Sequence, residues 1–404
     1  MLKLSLSIVA ASLCALGLLA AAGGSAVAGQ GSERPELEQF QVFDESSSVR
    51  IEYGFLHDYL AGVVLDVGRS DRRPARTPDA RTGSRIQFAS TSRYRYENNR
   101  VVFHLISDDR IQALSSYRAE LESLPDRIPL QSLNRNEQLA FWLNLHNVVV
   151  LDELARAYPV RRPDRLRPLD NGVSLHDARI IRINGVDLSP NDIRFHIVQA
   201  GWDDPRIIYG FYSGAVGGPA LQDRAFTGAS VWRQLDSNAR EFVNALRGVE
   251  KLNGRTRTRV SPLYEEHQAL FGNWPGDLLA HLQQHATPMT RADITPGPVQ
   301  FLRFDHRIAD LTNGLNACRA SSNIAGAGFT ISAGGDGVAR TAAACDPIPP
   351  MAADLLNVVI ERRIENLRAG RTGSVTVRDI YSPDPDDIDE EEDAPASDPD
   401  APSR

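Results

Sequence analysis

The chain has 404 residues, 42% of them hydrophobic, which allows one large domain or two ordinary ones around a sizeable core. Its formal charge of −8 is uneven: residues 383–404 hold ten carboxylates against Arg404, so the tail carries −9 and everything before it +1. Nucleic acid is a poor partner for such a chain, because aromatics are not interleaved with its basic residues. Beyond the N-terminus, no stretch is apolar for long enough to cross a membrane.

Met1-Leu2-Lys3 supplies a positive start, residues 4–21 run apolar and small, and Ala26-Val27-Ala28 follows. This is the pattern of a secretory signal peptide cut after Ala28, and it predicts a periplasmic or secreted protein. The rival is a retained anchor; Gly23, Gly24 and the Ala-x-Ala site favour cleavage. Cys14 lies mid-run, where lipid attachment does not occur. Residues 29–48 read as a flexible leader.

From Tyr53 to Val67, apolar residues recur at helical spacing. Arg69, Arg72, Arg73, Arg76, Arg81 and Arg85 then lie in a stretch read as a solvated loop, with an anion-binding surface as the sharper alternative. Strand-like residues flank Asn98-Asn99, which predicts a β-hairpin over 93–104. Helical periodicity resumes over 109–124. Asn134 with Glu137 forms a capping-box-like start to a helix apolar on nearly all sides from Leu139 to Leu154, which belongs at the centre of a fold. Asn144 and Asn147 share one face of it. Buried amides need partners, so they either pin neighbouring backbone or face a ligand.

Asn184-Gly185 marks a turn. Ser189 and Pro190 open a helix through Ala200. Residues 206–212 read as a buried strand running into a small-residue loop, 213–219. A helix over 231–246 and a short one over 278–284 follow. Residues 325–337 are glycine- and alanine-rich. An amphipathic helix over 352–367, stopped by Gly370, and a strand over 375–380 complete the body. Removal of the signal leaves Cys318 and Cys345. In an oxidising compartment they are expected to form a disulfide, worth roughly 3–4 kcal/mol from loop closure, the alternative being two free thiols. The Asp- and Pro-rich tail cannot bury enough surface to fold.

Phe141-Trp-Leu-Asn-Leu-His-Asn147 resembles the Phe-Trp-Ile-Asn-Leu-Tyr-Asn helix of the family known as domain of unknown function 547. The resemblance continues in order through Leu188-Ser-Pro-Asn-Asp-Ile193, Asp204-Pro-Arg206, Ala225-Phe226, Gln234-Leu-Asp236, Ala239-Arg-Glu-Phe242, Tyr264 to Phe271 and Phe304-Asp305. It implies a domain over about 49–310. Family members carry Glu-His after Asp-Ile and Asn-Cys at the loop, a set that suits cysteine–histidine chemistry. Here those positions read Arg194-Phe195 and Tyr212-Ser213, and a second cysteine position reads Gly218. His196 is displaced by one residue.

The expected fold is therefore an α/β (α+β) main domain over 49–310 around a central buried helix. A disulfide-stapled extension (311–382) and a disordered acidic tail (383–404) follow it. The expected function is non-catalytic binding or scaffolding of an envelope ligand or protein, in a pocket lined by Asn144, Asn147 and Arg206. The alternative is a hydrolase or acyl transferase using Ser213, with His196, His146 or Asp305 as candidate partners. A serine needs an adjacent base to act at neutral pH. Asp277, His281 and His285 share a helical face, but a zinc site needs further ligands, so His281 and His285 are weak metal candidates. No cofactor is implied, since no glycine-rich phosphate loop is present.

Overall fold

The computed structural model describes residues 34–75, 92–250, 257–314 and 350–370. The signal segment, Cys318 and Cys345, the glycine-rich stretch, the strand expected over 375–380 and the acidic tail lie outside them. The described residues form a mixed fold in which helix predominates over small sheets.

Its axis starts at Asn134, whose side chain accepts a hydrogen bond from the Glu137 amide at 3.0 Å. Helix α3 (Arg135–Ala157) follows, and every residue from Glu137 to Asp152 is buried. Burial on all sides requires neighbours on all sides. Helix α1 (Gly54–Val63) turns Leu56, Tyr59, Leu60 and Val63 inward. Strand β1 (Val64–Leu65) pairs antiparallel with β2 (Arg100–Val101). Helix α2 (Asp108–Ser123), capped by Ser107, packs against α3. Arg118 holds the seam, donating to Glu122 at 2.8 Å, Asp152 at 3.1 Å and Glu153 at 2.7 Å, and to the Ile180 carbonyl.

The hairpin expected about Asn98-Asn99 does not form; β2 pairs with the end of α1's chain instead. Asn98 (φ 71°) is buried, and its amide donates to the carbonyls of Ala215, Val216 and Gly218. Arg100 gathers the carbonyls of Arg95, Glu97, Asn98 and Asn99. Those buried demands outweigh the local preference for a hairpin. Arg72 likewise departs from a solvated loop. It donates to Asn244 O, Val249 O and the Asp293 carboxylate, the last at 2.9 Å.

Strands β3 (Ile181–Ile183) and β4 (Val186–Leu188) make a hairpin about Asn184-Gly185, both at positive φ as a tight turn requires. Ser189 and Asp192 then cap each other. The helix they open is a π-helix over Asp192–Val198, continued by α4 (Gln199–Gly201). Its wider turn brings Ile193, Ile197 and Val198 into the core together. The run expected as a strand is a 3₁₀ helix, Pro205–Gly210, capped by Asp204. A short apolar run does not by itself distinguish strand from buried helix. Gly210 lets it lie between α3 and α5 (Val231–Val243): a Cβ there would meet Leu143 at 2.6 Å and Leu235 at 3.0 Å.

Strand β5 (Val249–Glu250) pairs antiparallel with β6 (Arg259–Val260), and β7 (Gln300–Phe301) joins β6 in parallel. Helices α6 (Leu263–Glu266), α7 (Gly276–His285) and α8 (Pro288–Arg291) lie between. Helix α9 (Pro350–Arg368) seats Ala352, Leu355 and Val359 against Val67 and Leu311. Arg362 ties it down through the carbonyls of Val67 and Tyr96. Among the described residues no helix is long and apolar enough to cross a membrane.

Candidate functional site

Asn144 and Asn147 place the backbone around which the candidate site is built. Asn144 accepts from Phe226 N at 2.9 Å and donates to Phe226 O at 2.8 Å. Asn147 donates to Gly210 O at 2.9 Å and accepts from Tyr212 N at 2.9 Å. Both amides therefore hold passing chain. They also line a narrow crevice with Leu56, Leu60, Leu221 and Gln222, which has room for roughly one water molecule. Arg206 stands apart from it, forked onto Asp204 and stacked over Trp232 at 4.9 Å.

The Asn147 clamp delivers the chain into the loop 213–219. Gly217 N donates to Asp305 O and Val216 N to Arg307 O, while Arg247 and Asn98 share the Gly218 carbonyl. A Cβ on Gly217 would lie 2.7 Å from Asp305 N, so glycine is what permits this approach. Ser213 is part-exposed, and its Oγ accepts from Ala215 N at 3.4 Å. A Cβ on Gly218 would lie 2.3 Å from that Oγ, so a cysteine at 218 does not fit beside Ser213 as placed.

Among the described residues, His176 is the imidazole that bonds Ser213, and it does so at the backbone rather than the hydroxyl. His196 is exposed on the π-helix; among the described residues no hydrogen bond joins it to Ser213. His146 is buried, with Nδ1 3.0 Å from Asn147 Oδ1 and its ring edge-on to Phe211 at 4.9 Å. Because that oxygen is an acceptor, Nδ1 carries the proton and Nε2 is bare. Asp305 turns to Arg307.

Arg194, at the resemblance's Glu position, brings its charge near both His146 and His176. It donates to Asn191 Oδ1 at 3.1 Å, to Glu266 at 3.2 Å and to His267 Nε2 at 3.1 Å. Phe195 and Phe211 flank its guanidinium at 4.8 and 5.9 Å. Burial, then the Arg194 charge, pushes His176 down to about 4 and His267 to about 2; the same two causes hold His146 well below its ordinary value. Each imidazole is neutral at pH 7.

A second polar cluster lies on α7. His281 Nε2 meets Tyr209 OH at 2.9 Å, Tyr209 donates to Tyr264 at 3.2 Å, and the rings of His281 and His285 lie 4.7 Å apart. Burial, with His285 beside it, pushes His281 down to about 3. His285 Nδ1 is 3.4 Å from Asp236. Among the described residues no group of three or more His, Cys, Asp or Glu side chains is arranged to hold a metal ion.

Residues 130–243 match the family model described as "Protein of unknown function, DUF547". Over that span the chain is similar to the DUF547 family. No curated protein and no solved structure is matched. The DUF547 match encloses α3 with both clamping asparagines, His176, Arg194 and Ser213; His267 lies beyond it. His176 and His267 escaped sequence reasoning because each is a lone imidazole outside any spaced motif. Arg194 was visible only as a departure from the family pattern.

Proposed function

We propose that this is an exported envelope protein whose DUF547 domain binds a ligand or partner without catalysis. The N-terminal 28 residues support export through their charge, apolar run and Ala-x-Ala site. One observation carries the non-catalytic reading. The imidazole that reaches Ser213 is committed to its backbone, while Ser213 Oγ turns to its own loop at Ala215 N. A serine without a base on its hydroxyl is a weak nucleophile at neutral pH.

The test is turnover of a panel of activated esters and short peptides by the protein beginning at Gly29, beside Ser213→Ala. No turnover above background is expected for either; turnover lost on Ser213→Ala overturns the reading. Sequencing the N-terminus of exported protein is expected to find Gly29, and a retained Met1 contradicts the cleavage. A hydrolase or acyl transferase remains the second reading, because His176 stands beside Ser213. It requires that ring to leave the backbone and take the hydroxyl.

A further inference from the structure

Three buried nitrogens around Arg194 lack partners: Arg194 Nε, His146 Nε2 and His176 Nδ1. They belong to elements far apart in sequence, the central helix, the loop before β3 and the π-helix. Phe211 connects two of them, with His146 against its ring at 4.9 Å and the Arg194 guanidinium at 5.9 Å. The Asn147 and Ser213 bonds use the protonated nitrogen of each neutral imidazole, so His146 Nε2 and His176 Nδ1 are bare acceptors. Arg194 Nε is a donor, and a guanidinium never gives up its charge. Its carboxylate partner, Glu266, is about half exposed and holds a different nitrogen, Nη2. The π-helix that carries Arg194 is a rare form that frequently accompanies functional sites.

We propose that Arg194, His146 and His176 form a binding site for a small carboxylate, which enters together with one proton. Arg194 Nε–H donates to one carboxylate oxygen. The proton comes from solvent and settles on His176 Nδ1 or His146 Nε2, turning a bare acceptor into a donor to the other oxygen. No bond is made or broken in the ligand. Arg194 opposes the added charge; Asp177, Glu266 and, nearer His176, Asp164 favour it. The carboxylate supplies the negative charge that these groups leave uncompensated once the imidazole is protonated. Phe195, part-exposed, and Glu266, about half exposed, both lie against the Arg194 guanidinium, so a ligand reaching it displaces them.

The site rests on the binding reading above, and it fails separately from it. The probe is acetate, titrated calorimetrically into the protein beginning at Gly29 at pH 5.5, 6.5 and 7.5, in buffers of different ionisation heat. Expected is uptake of close to one proton and an affinity that rises about tenfold per unit fall in pH. Affinity that is flat with pH, or binding without proton uptake, overturns the site. Binding by inorganic phosphate with the same proton uptake keeps the site and identifies its ligand as an oxyanion in general. Arg194→Gln is expected to abolish binding, and a folded variant that still binds overturns the proposal. Should that variant not fold, the nitrogen resonances of His146 and His176 in the unsubstituted protein decide. One of the rings is expected to shift to the imidazolium position on adding acetate, and unmoved rings overturn the site. Ser213-dependent turnover would overturn the non-catalytic reading without touching this result.

Discussion

Asn144 and Asn147 each combine a shape that fits α3 with a pair of bonds that no apolar residue makes. Asn144→Ala strands the Phe226 amide and carbonyl, and Asn147→Ala strands Gly210 O and Tyr212 N along with His146 Nδ1. An unsatisfied buried polar group costs about 1–3 kcal/mol, so each variant is expected to lose about 2–4 kcal/mol in urea unfolding. Asn147→Ala should be the more damaging, having more partners to orphan. Equal stability to the parent would show that water replaces the amides, and that the clamp is dispensable. Gly217→Ala is a separate case, since its Cβ would meet backbone at 2.7 Å and not a movable side chain tip. It is expected to destabilise through displacement of the 304–307 segment, visible as altered amide shifts there.

At the scale of elements, the α2–α3 seam turns on Arg118, whose side chain serves Glu122, Asp152, Glu153 and Ile180 O. Asp152 is 1% exposed, so removing its guanidinium partner leaves a charge in the interior. Arg118→Met is expected to cost about 3–5 kcal/mol, the range for breaking a buried pair from one side. A loss under about 1 kcal/mol would mean that Ser115, at 2.5 Å from Asp152, and Arg156, at 3.9 Å, suffice without Arg118. What could be read from sequence follows the same division between local and distant causes. Helix α3 was legible because its cap and its apolar run are contiguous, and so was the hairpin of β3 and β4, whose turn demands Asn-Gly. The 3₁₀ helix at Pro205–Gly210 and the π-helix at Asp192–Val198 were not. Ile207-Ile208-Tyr209 is apolar in any conformation, and the wider π turn reflects where Ile193, Ile197 and Val198 find space in the core. The site divides likewise: Asn144 and Asn147 share a helical face, whereas His146, His176, Arg194 and His267 meet only through the tertiary fold.

Across the whole molecule, the interior stores neutral imidazoles. His176, His267 and His281 are pushed down to about 4, 2 and 3, and His146 and His285 are lowered as well, burial being the first cause for each. In the unfolded chain a histidine titrates near 6.5. Above that value neither state is charged and these groups leave stability unchanged. Below it the unfolded chain takes up protons that the folded one refuses, so stability falls from about pH 6.5 down to each folded value. Between pH 7 and 5 the loss is about 2 kcal/mol for each of His176, His267 and His281. Glu250 and Asp310, raised by burial, act in the opposite sense, because they accept protons earlier when folded. Asp192 and Asp204, held low, act only below about pH 4 and fall outside this window. Five depressed imidazoles against two raised carboxyls predict net proton uptake on unfolding between pH 6 and 5. The measurement is the urea midpoint at pH 7.5, 6.5, 5.5 and 5.0 in acetate-free buffer. A steady fall below pH 6.5 is expected, whereas a flat or rising midpoint would mean that the imidazoles are already charged in the folded protein. Repeating the series with acetate present should shallow the fall, because a ligand that brings a proton to His146 or His176 gives the folded state what the unfolded state otherwise gains alone.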